Sequence, residues 1–211
     1  MNRILLLATI LFCGLAGFGQ AHAQSARAQL ERFSGGLETL HARFEQKVIG
    51  GDGAIQDGST GEVWLQRPGQ FRWEYGGEFP EVVVADGKNI WIYDEVLEQV
   101  TVKDQSQAAA NSPLTLLTDL DQLDEQFEVR EAGESEQWQL LELRSRNMET
   151  DFERILLGLR DDSLQLMVME DAFGLRTEIS FGEVIRNSEL DPELFKFTPP
   201  ESADVIGEIQ R

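Results

Sequence analysis

The sequence predicts a mainly β fold with short helices: an incomplete antiparallel β-barrel of about eleven strands, with apolar lid helices. Short strand-like runs recur between residues 43 and 183, and turn sequences such as GGDG, RPG and DGKN separate them. One apolar helical segment precedes the strands, and a second interrupts them near residue 111. Because strands at this spacing pair with their neighbours, we expect one large curved sheet.

The first 23 residues have the parts of a secretory signal peptide. A basic residue comes first, an apolar stretch follows, and the small residues of AHA end at Ala23. This stretch is too short and wrongly flanked for a membrane-spanning helix. A lipoprotein signal is the alternative because Cys13 follows an apolar run, but Phe12 is too large to precede a lipidated cysteine. We expect cleavage after Ala23, leaving residues 24–211 as a single domain.

Composition restricts the partners of the exported chain. The sequence has 38 acidic and 18 basic residues, a net charge of −20 at pH 7. Such a surface repels nucleic acid and anionic lipid headgroups. The only cysteine lies in the expected signal peptide, so the exported domain must fold without a disulfide.

The first helix is predicted over residues 25 to 40. Leu30 and Phe33 recur there at helical spacing, and Gly35-Gly36 weakens the helix, so it should end or bend at that point. The sequence DPELF near the C-terminus has a capping residue followed by proline, which predicts a single helical turn.

A second apolar helix is predicted from the sequence NSPLTLLTDLDQLDEQ, residues 111–126. Ser112 is a candidate N-cap, Pro113 stands at the first helical position, and Leu114 and Leu117 follow at helical spacing. We expect the two apolar helices to plug the inner side of the sheet or to cover its mouth.

Two strand sequences are apolar on both faces, so both of their faces must be covered. In NIWIYD, Trp91 and Tyr93 alternate with isoleucines, and in LQLMVME, Met167 and Met169 alternate with other apolar residues. A core on both sides is one interpretation, since Met and aromatic stripes usually form core. A cavity for an acyl chain is the other, because these large, adaptable side chains suit a ligand of variable shape. Periodicity alone leaves both open.

The stretch EVWLQRPGQFRWEY places an arginine at the end of an apolar stripe. Leu65 and Arg67 share the face that should look inward, whereas Trp64 shares the other face; Phe71 and Trp73 follow the turn. A buried guanidinium needs acceptors, which the free carbonyls at the end of a lid helix would supply. An ordinary exposed hairpin arginine is the alternative.

Several motifs occur together in a fixed order. They are FEQKV at 44–48, VWLQRPGQFRWEY at 63–75, VADGKNIWIYD at 84–94, EQVTV at 98–102, NSPLTLL at 111–117 and FKFTPP at 195–200. In order and spacing this set resembles the LolA family of periplasmic outer-membrane lipoprotein carriers, over nearly all of the exported chain.

The resemblance implies a periplasmic chaperone whose hydrophobic cavity shields lipoprotein acyl chains. We expect a monomer, because a transfer mouth must stay free, and no cofactor or metal. Cargo would come from an inner-membrane ABC transporter of the LolCDE type and pass to an outer-membrane receptor of the LolB type. By position, Arg67 would bond the lid backbone and hold the empty cavity shut. Phe71 would be an exposed-edge aromatic used in transfer. The expected lipid contacts are Trp64, Leu65, Phe71, Trp73, Trp91, Tyr93, Met167 and Met169, and the expected lid-helix residues are Leu30, Phe33, Pro113, Leu114 and Leu117.

An enzyme is not expected. The exported chain retains one histidine, His41, which we interpret as an incidental edge residue, and it lacks G-x-S-x-G, H-E-x-x-H, P-loop and G-x-G-x-x-G motifs. The acidic DLDQLDEQFE lacks the glycine and spacing of a calcium loop.

Other functions of the same fold make further demands. A lipoprotein receptor would need a lipidated N-terminal cysteine, and a sensor of envelope stress would need a second domain. Carriage of another lipid or apolar ligand stays open as the alternative.

Overall fold

The structure is a computed structural model that describes residues 25–108, 120–146 and 152–210. The strands are β1 (Thr39–Ile49), β2 (Ile55–Gln66), β3 (Gln70–Gly76), β4 (Glu81–Ala85), β5 (Asn89–Asp94), β6 (Gln99–Asp104), β7 (Phe127–Glu134), β8 (Gln139–Ser145), β9 (Arg154–Arg160), β10 (Ser163–Glu170), β11 (Arg176–Arg186) and β12 (Asp204–Ile206). The helices are α1 (Ala26–Ser34), α2 (Gln105–Ala108) and α3 (Leu120–Gln126), with a 3₁₀ turn at Pro192–Phe195.

All twelve strands form one sheet in the order β12-β6-β5-β4-β3-β2-β1-β11-β10-β9-β8-β7. Neighbouring strands are antiparallel except for β12, which runs parallel to β6. Strand β1 is central, since it pairs with β2 on one side and with β11 on the other. The sheet has two ends, β12 and β7, so it is open, which confirms the predicted incomplete barrel. The eleven predicted strands are β1 to β11, and β12 is additional.

The sheet curls towards the face that carries its main core, which we call the inner face. Strands β3 and β11 are three strand positions apart, a distance of about 14 Å along a flat sheet. The rings of Trp73 on β3 and Phe181 on β11 nevertheless have centroids only 6.4 Å apart. Their approach across two intervening strands requires the inner face to be concave.

Helix α1 covers the inner face over β8, β9 and β10. The hydroxyl of Ser25 accepts the N–H of Ala28 at 3.2 Å and caps the helix. At the other end the N–H of Gly35 donates to the carbonyl of Glu31, and Gly36 has the left-handed φ of +65°. The helix therefore ends at the Gly-Gly pair, as the sequence predicts.

The N-terminus of α1 is bound to acidic side chains from elsewhere in the fold. The N–H groups of Ala26 and Arg27 each donate to the Glu131 carboxylate on β7 at 3.0 Å. The guanidinium of Arg27 forms a two-pronged bond with Asp124 on α3, at 2.6 and 2.8 Å. A carboxylate at a helix N-terminus is favourable, so these contacts hold α1 against the end of the sheet.

A second, smaller core lies on the outer face of β4, β5 and β6. It consists of Val82, Val84, Trp91, Val100 and Val102, with Tyr93, Phe197 and Ala203 packed against them. The segment after β11 therefore covers the outer face here. Both faces of NIWIYD are covered, as predicted from its continuous apolar sequence.

Some predicted features lie outside the described residues. The signal peptide and the lid residues Pro113, Leu114 and Leu117 belong to this group. Helix α3 is the described part of the segment that was predicted to form the second helix. Within the described ranges, no helix is both long and apolar enough to cross a membrane.

Candidate functional site

The inner face carries an aromatic cluster centred on Trp73. The ring of Phe44 meets Trp73 edge-on at 4.7 Å, and Tyr75 lies nearly parallel to Trp73 at 6.0 Å. Phe44 also contacts Tyr75 edge-on at 5.1 Å, and the Phe181 ring lies 6.4 Å from that of Trp73 between centroids. These four rings form a continuous apolar surface across β1, β3 and β11, in geometries that aromatic pairs favour.

A glycine makes this cluster possible. In the strand register Phe44 faces Gly61, and Gly61 faces Tyr75 on the next strand. A Cβ atom at Gly61 would collide with the Phe44 ring and with the carbonyl of Glu74. The Phe44 ring therefore lies across β2 in space that only glycine leaves free.

The apolar surface continues along the inner face in both directions. Leu65 and Phe71 are 4% exposed, and Met167 on β10 is fully buried, with Met169 packed against the same cluster. Leu30 and Phe33 of α1 are fully buried in it. The structure thus brings together seven of the predicted site residues on one face: the lid-helix residues Leu30 and Phe33 and the lipid contacts Leu65, Phe71, Trp73, Met167 and Met169.

Phe71 does not occupy the exposed edge that its motif led us to expect. It lies at the start of β3, opposite Leu65 and Ala85, and faces the core. The short turn after β2 returns the chain at once into the sheet, so Phe71 has inward parity with Trp73. The expected exposure is wrong for this conformation.

Three of the predicted lipid contacts lie on the outer face. Trp91 and Tyr93 contact the ring of Phe197 at 5.6 and 6.0 Å. Trp64 stacks on His41 at 5.1 Å with nearly parallel rings. Trp64 therefore lies on the outward face, as its strand parity predicts, and Trp91 and Tyr93 lie on the same side. None of the three joins the apolar surface of the inner face, and their contact with lipid stays a prediction.

Arg67 stands at the end of β2, at the turn into β3. Its backbone N–H donates to the carbonyl of Glu38 at 2.9 Å, and its side chain is half-buried. Within the part of the chain that the structure describes, the guanidinium forms no hydrogen bond or ion pair. Three of the five predicted lid residues, Pro113, Leu114 and Leu117, lie outside that part, so the latch stays a prediction.

His41 is better placed than an incidental edge residue would be. Besides stacking on Trp64, its Nε2 lies 2.8 Å from the carboxylate of Glu62. Arg43 approaches the same carboxylate at 3.6 Å and Glu183 at 3.1 Å. This outer-face network ties β1, β2 and β11 together and has the form of a structural contact. Among the described residues, no three side chains are grouped as metal ligands.

Sequence reasoning missed Phe44, Gly61, Tyr75 and Phe181 as parts of the site. Each stands in a recognised strand, but only the register of β1, β2, β3 and β11 brings them together. The inward parity of Phe44 and Tyr75 within their strands was the available signal. Burial, with the neighbouring charge of Glu81, raises the pKa of Tyr75 to about 12, so its hydroxyl stays neutral at physiological pH.

Comparison with known proteins gives consistent results. Residues 35–198 match the family described as "Outer membrane lipoprotein carrier protein LolA". An outer-membrane lipoprotein carrier protein of Dechloromonas aromatica is 40% identical over 188 residues, covering 89% of this chain and 90% of its own. One from Xanthomonas campestris pv. campestris is 39% identical over 210 residues, covering 99% of this chain and 98% of its own.

A solved structure has a similar fold. The crystal structure of an uncharacterized conserved protein from Thermus thermophilus matches with a TM-score of 0.57 at 18% identity, covering 87% of this chain and 99% of that one.

Proposed function

The chain belongs to the LolA family of outer-membrane lipoprotein carrier proteins, and from this premise we propose that it is a periplasmic lipoprotein chaperone. It accepts lipoproteins at the inner membrane, shields their acyl chains on the inner face of the sheet, and delivers them at the outer membrane. The donor is an ABC transporter of the LolCDE type and the acceptor a receptor of the LolB type. The exported form is residues 24–211, a monomer without catalytic activity.

One observation carries the proposal: a continuous apolar inner face in a sheet that does not close. Trp73 and its aromatic neighbours lie at the centre of this face, and Met167 and Met169 extend it. Its members are buried in the described conformation, partly beneath α1. If a helix that covers the inner face moved away, this surface would be exposed to acyl chains. The hydrogen bonds between the strands of the sheet would stay intact.

A carrier must bind acyl chains without holding them permanently. Each buried methylene contributes about 0.8 kcal/mol, so several long chains would exceed the practical limit of non-covalent affinity, roughly −20 kcal/mol. If the empty protein is stable with its cavity closed, part of this gain is offset. Part of the free energy of acyl-chain binding is then needed to open the cavity. We propose that Arg67, at the β2–β3 turn, stabilises that closed state through carbonyls of the lid, and that Phe71 and Trp73 contact the chains once it opens.

The test is a release and delivery assay. The purified chain is added to spheroplasts that carry labelled lipoproteins, and soluble one-to-one complexes are measured, followed by transfer to outer-membrane vesicles. Wild type should form complexes and deliver them. Arg67→Leu should form complexes but deliver about tenfold more slowly, as expected for loss of charge-assisted hydrogen bonds to the closed lid.

Arg130→Leu on β7, an exposed arginine far from the β2–β3 turn, is the matched control and should behave as wild type. Normal delivery by Arg67→Leu would rule out the latch. Absence of any soluble complex with wild type, together with binding of a fluorescent apolar probe, would favour the alternative carriage of another lipid.

A further inference from the structure

The inner face becomes polar towards one end of the sheet. At the end formed by the β1–β2, β3–β4 and β5–β6 turns, it opens into a groove of about 320 Å³. Tyr75 and Phe79 contribute aromatic rings to its lining, and the acidic residues Asp57, Glu81 and Asp94 also line it. Tyr75 also belongs to the aromatic cluster. The groove is therefore the polar continuation of the proposed acyl-chain surface.

The carboxylates of this groove are uncompensated. Glu81 stands directly opposite Asp94 in the β4–β5 register, an arrangement of like charges that destabilises a sheet. Asp57 and Glu78 add two more acidic groups, and no basic side chain lines the groove among the described residues. Within the same ranges, none of these four carboxylates takes part in an ion pair.

Elsewhere on the sheet, several carboxylates have basic partners. Glu74 is paired with Arg72 at 2.6 Å, and Glu142 with both Arg144 and Arg154. Glu178 is paired with Arg176 on the same strand. In the groove, four acidic residues lie together and no described basic side chain lines it. Partial burial of Glu81, together with Asp94, raises the pKa of its carboxyl, as expected where a positive charge is lacking.

We propose that this groove binds a cationic segment of the cargo peptide, the Lys- or Arg-bearing residues that follow the acylated cysteine. The inference rests on the proposed carrier function, in which acyl chains occupy the adjoining apolar face. A lipoprotein joins lipid to peptide, and its peptide must leave the apolar surface where polar surface begins. Two opposed carboxylates flanked by the rings of Tyr75 and Phe79 suit an ammonium or guanidinium group.

The test uses synthetic triacylated lipopeptides of identical lipid and different tails: Cys-Ser-Lys-Lys-Lys-Lys and Cys-Ser-Gly-Gly-Gly-Gly. Their affinities for the purified chain are measured by tryptophan fluorescence below the micellar concentration, at low and at high salt. At low salt the lysine tail should bind about tenfold more tightly, as expected for two partly exposed charge pairs. The preference should disappear at high salt.

The double variant Glu81→Gln/Asp94→Asn should lose this preference and keep its affinity for the glycine tail. The matched control, Glu125→Gln/Glu136→Gln, removes two exposed carboxylates outside the groove and should retain the preference, which excludes an effect of net charge alone. Tm is measured for every variant, and a groove variant with lowered Tm is replaced by Asp57→Asn.

The outcomes separate the two proposals. Equal binding of both tails by wild type, or an unchanged preference in the groove variant, would overturn the groove assignment while leaving the carrier intact. Failure of every lipopeptide to bind would overturn the carrier function itself. Equally tight binding of an unacylated Ser-Lys-Lys-Lys-Lys peptide would overturn the assignment to cargo, since the groove would then be a docking site for another protein.

Discussion

At the scale of single residues, Gly61 controls how closely the inner-face rings can approach. Its missing side chain leaves room for the Phe44 ring, which reaches over β2 to both Trp73 and Tyr75. The constraint is one of volume, because any Cβ here would meet backbone as well as a ring. A close-packed interior has little room to rearrange around added atoms, so even the methyl group of an alanine should destabilise the fold.

We predict that Gly61→Ala lowers the free energy of unfolding by about 3 kcal/mol. It should also change the fluorescence of Trp73, since Phe44 must leave its edge-on position. Urea denaturation followed by tryptophan emission measures both effects. Gly58→Ala on the same strand is the control, because a Cβ there makes only an ordinary contact with the Gln46 carbonyl at 3.7 Å. Equal stability of the two variants would contradict the prediction.

The same residues mark the limit of sequence reasoning. Parity along a strand was enough to place Leu65 inward. It could not pair Phe44 with Gly61 and Tyr75, because that contact depends on the register between strands. The exposure of Phe71 was misjudged because a position in a motif carries no information on what covers it.

At the scale of an element, the β4–β5 hairpin is held by one carboxylate. Asp86 accepts the N–H groups of Lys88 and Asn89 at 2.8 Å and the indole N–H of Trp91 at 2.7 Å. Burial alone would raise the pKa of Asp86, but these hydrogen bonds together outweigh it and lower that pKa below its usual value. The charged form is thus the one that stabilises the turn.

The sign of the pH dependence follows from that direction. A carboxyl with a lowered pKa contributes stability above its unfolded pKa of about 4, and this contribution is lost as the pH falls through the lower folded pKa. Asp86→Asn should therefore cost about 2 kcal/mol at pH 7 and progressively less below pH 4.

Chemical denaturation between pH 7 and pH 3 measures this difference. Asp52→Asn is the control, since Asp52 accepts a single N–H, from Ala54, in an exposed turn. A constant gap between wild type and Asp86→Asn across that range would exclude the carboxylate as the cause.

Elements were predictable wherever a local rule applied. Alternation and turn residues located β1 to β11, and a capping residue followed by proline located the turn at Pro192–Phe195, where Asp191 accepts the N–H of Glu193. Strand β12 was not predicted, because three residues are too few to show an alternation of apolar and polar side chains. All three are exposed. Its strand geometry comes from pairing with β6, which is a tertiary effect.

At the scale of the whole molecule, the two ends of the sheet are protected in different ways. The edge of β6 is covered by β12, and the tail is fixed further by the N–H of Gln210, which donates to Asn89 at 2.7 Å. Strand β7 is an outer edge, and half of its residues are both exposed and charged. Charged edge strands resist pairing with other chains, which suits an unassociated protein.

The C-terminal segment should contribute substantially to stability through Phe197. Its ring lies against Trp91 and Tyr93 and covers the outer core. Phe197→Ala should lower the free energy of unfolding by about 2 kcal/mol, less than for a fully buried ring because Phe197 is only half-buried. Phe173→Ala is the matched control, because Phe173 is 93% exposed and should contribute nothing. Similar thermal midpoints for the two variants would contradict this role.

The central position of β1 has a consequence for the order in which the chain can fold. Its second neighbour, β11, becomes available only near the end of synthesis, and the N–H of Glu38 bonds Asn187, 149 positions further along. Contacts so distant in sequence form slowly, because a long loop must close before they repay its lost entropy. A nascent chain that has reached only β10 therefore has an unfinished sheet centre. Such a chain stays incompletely folded until about the last fifth of its residues has been synthesised. This delay favours passage of the unfolded chain through a narrow translocation channel.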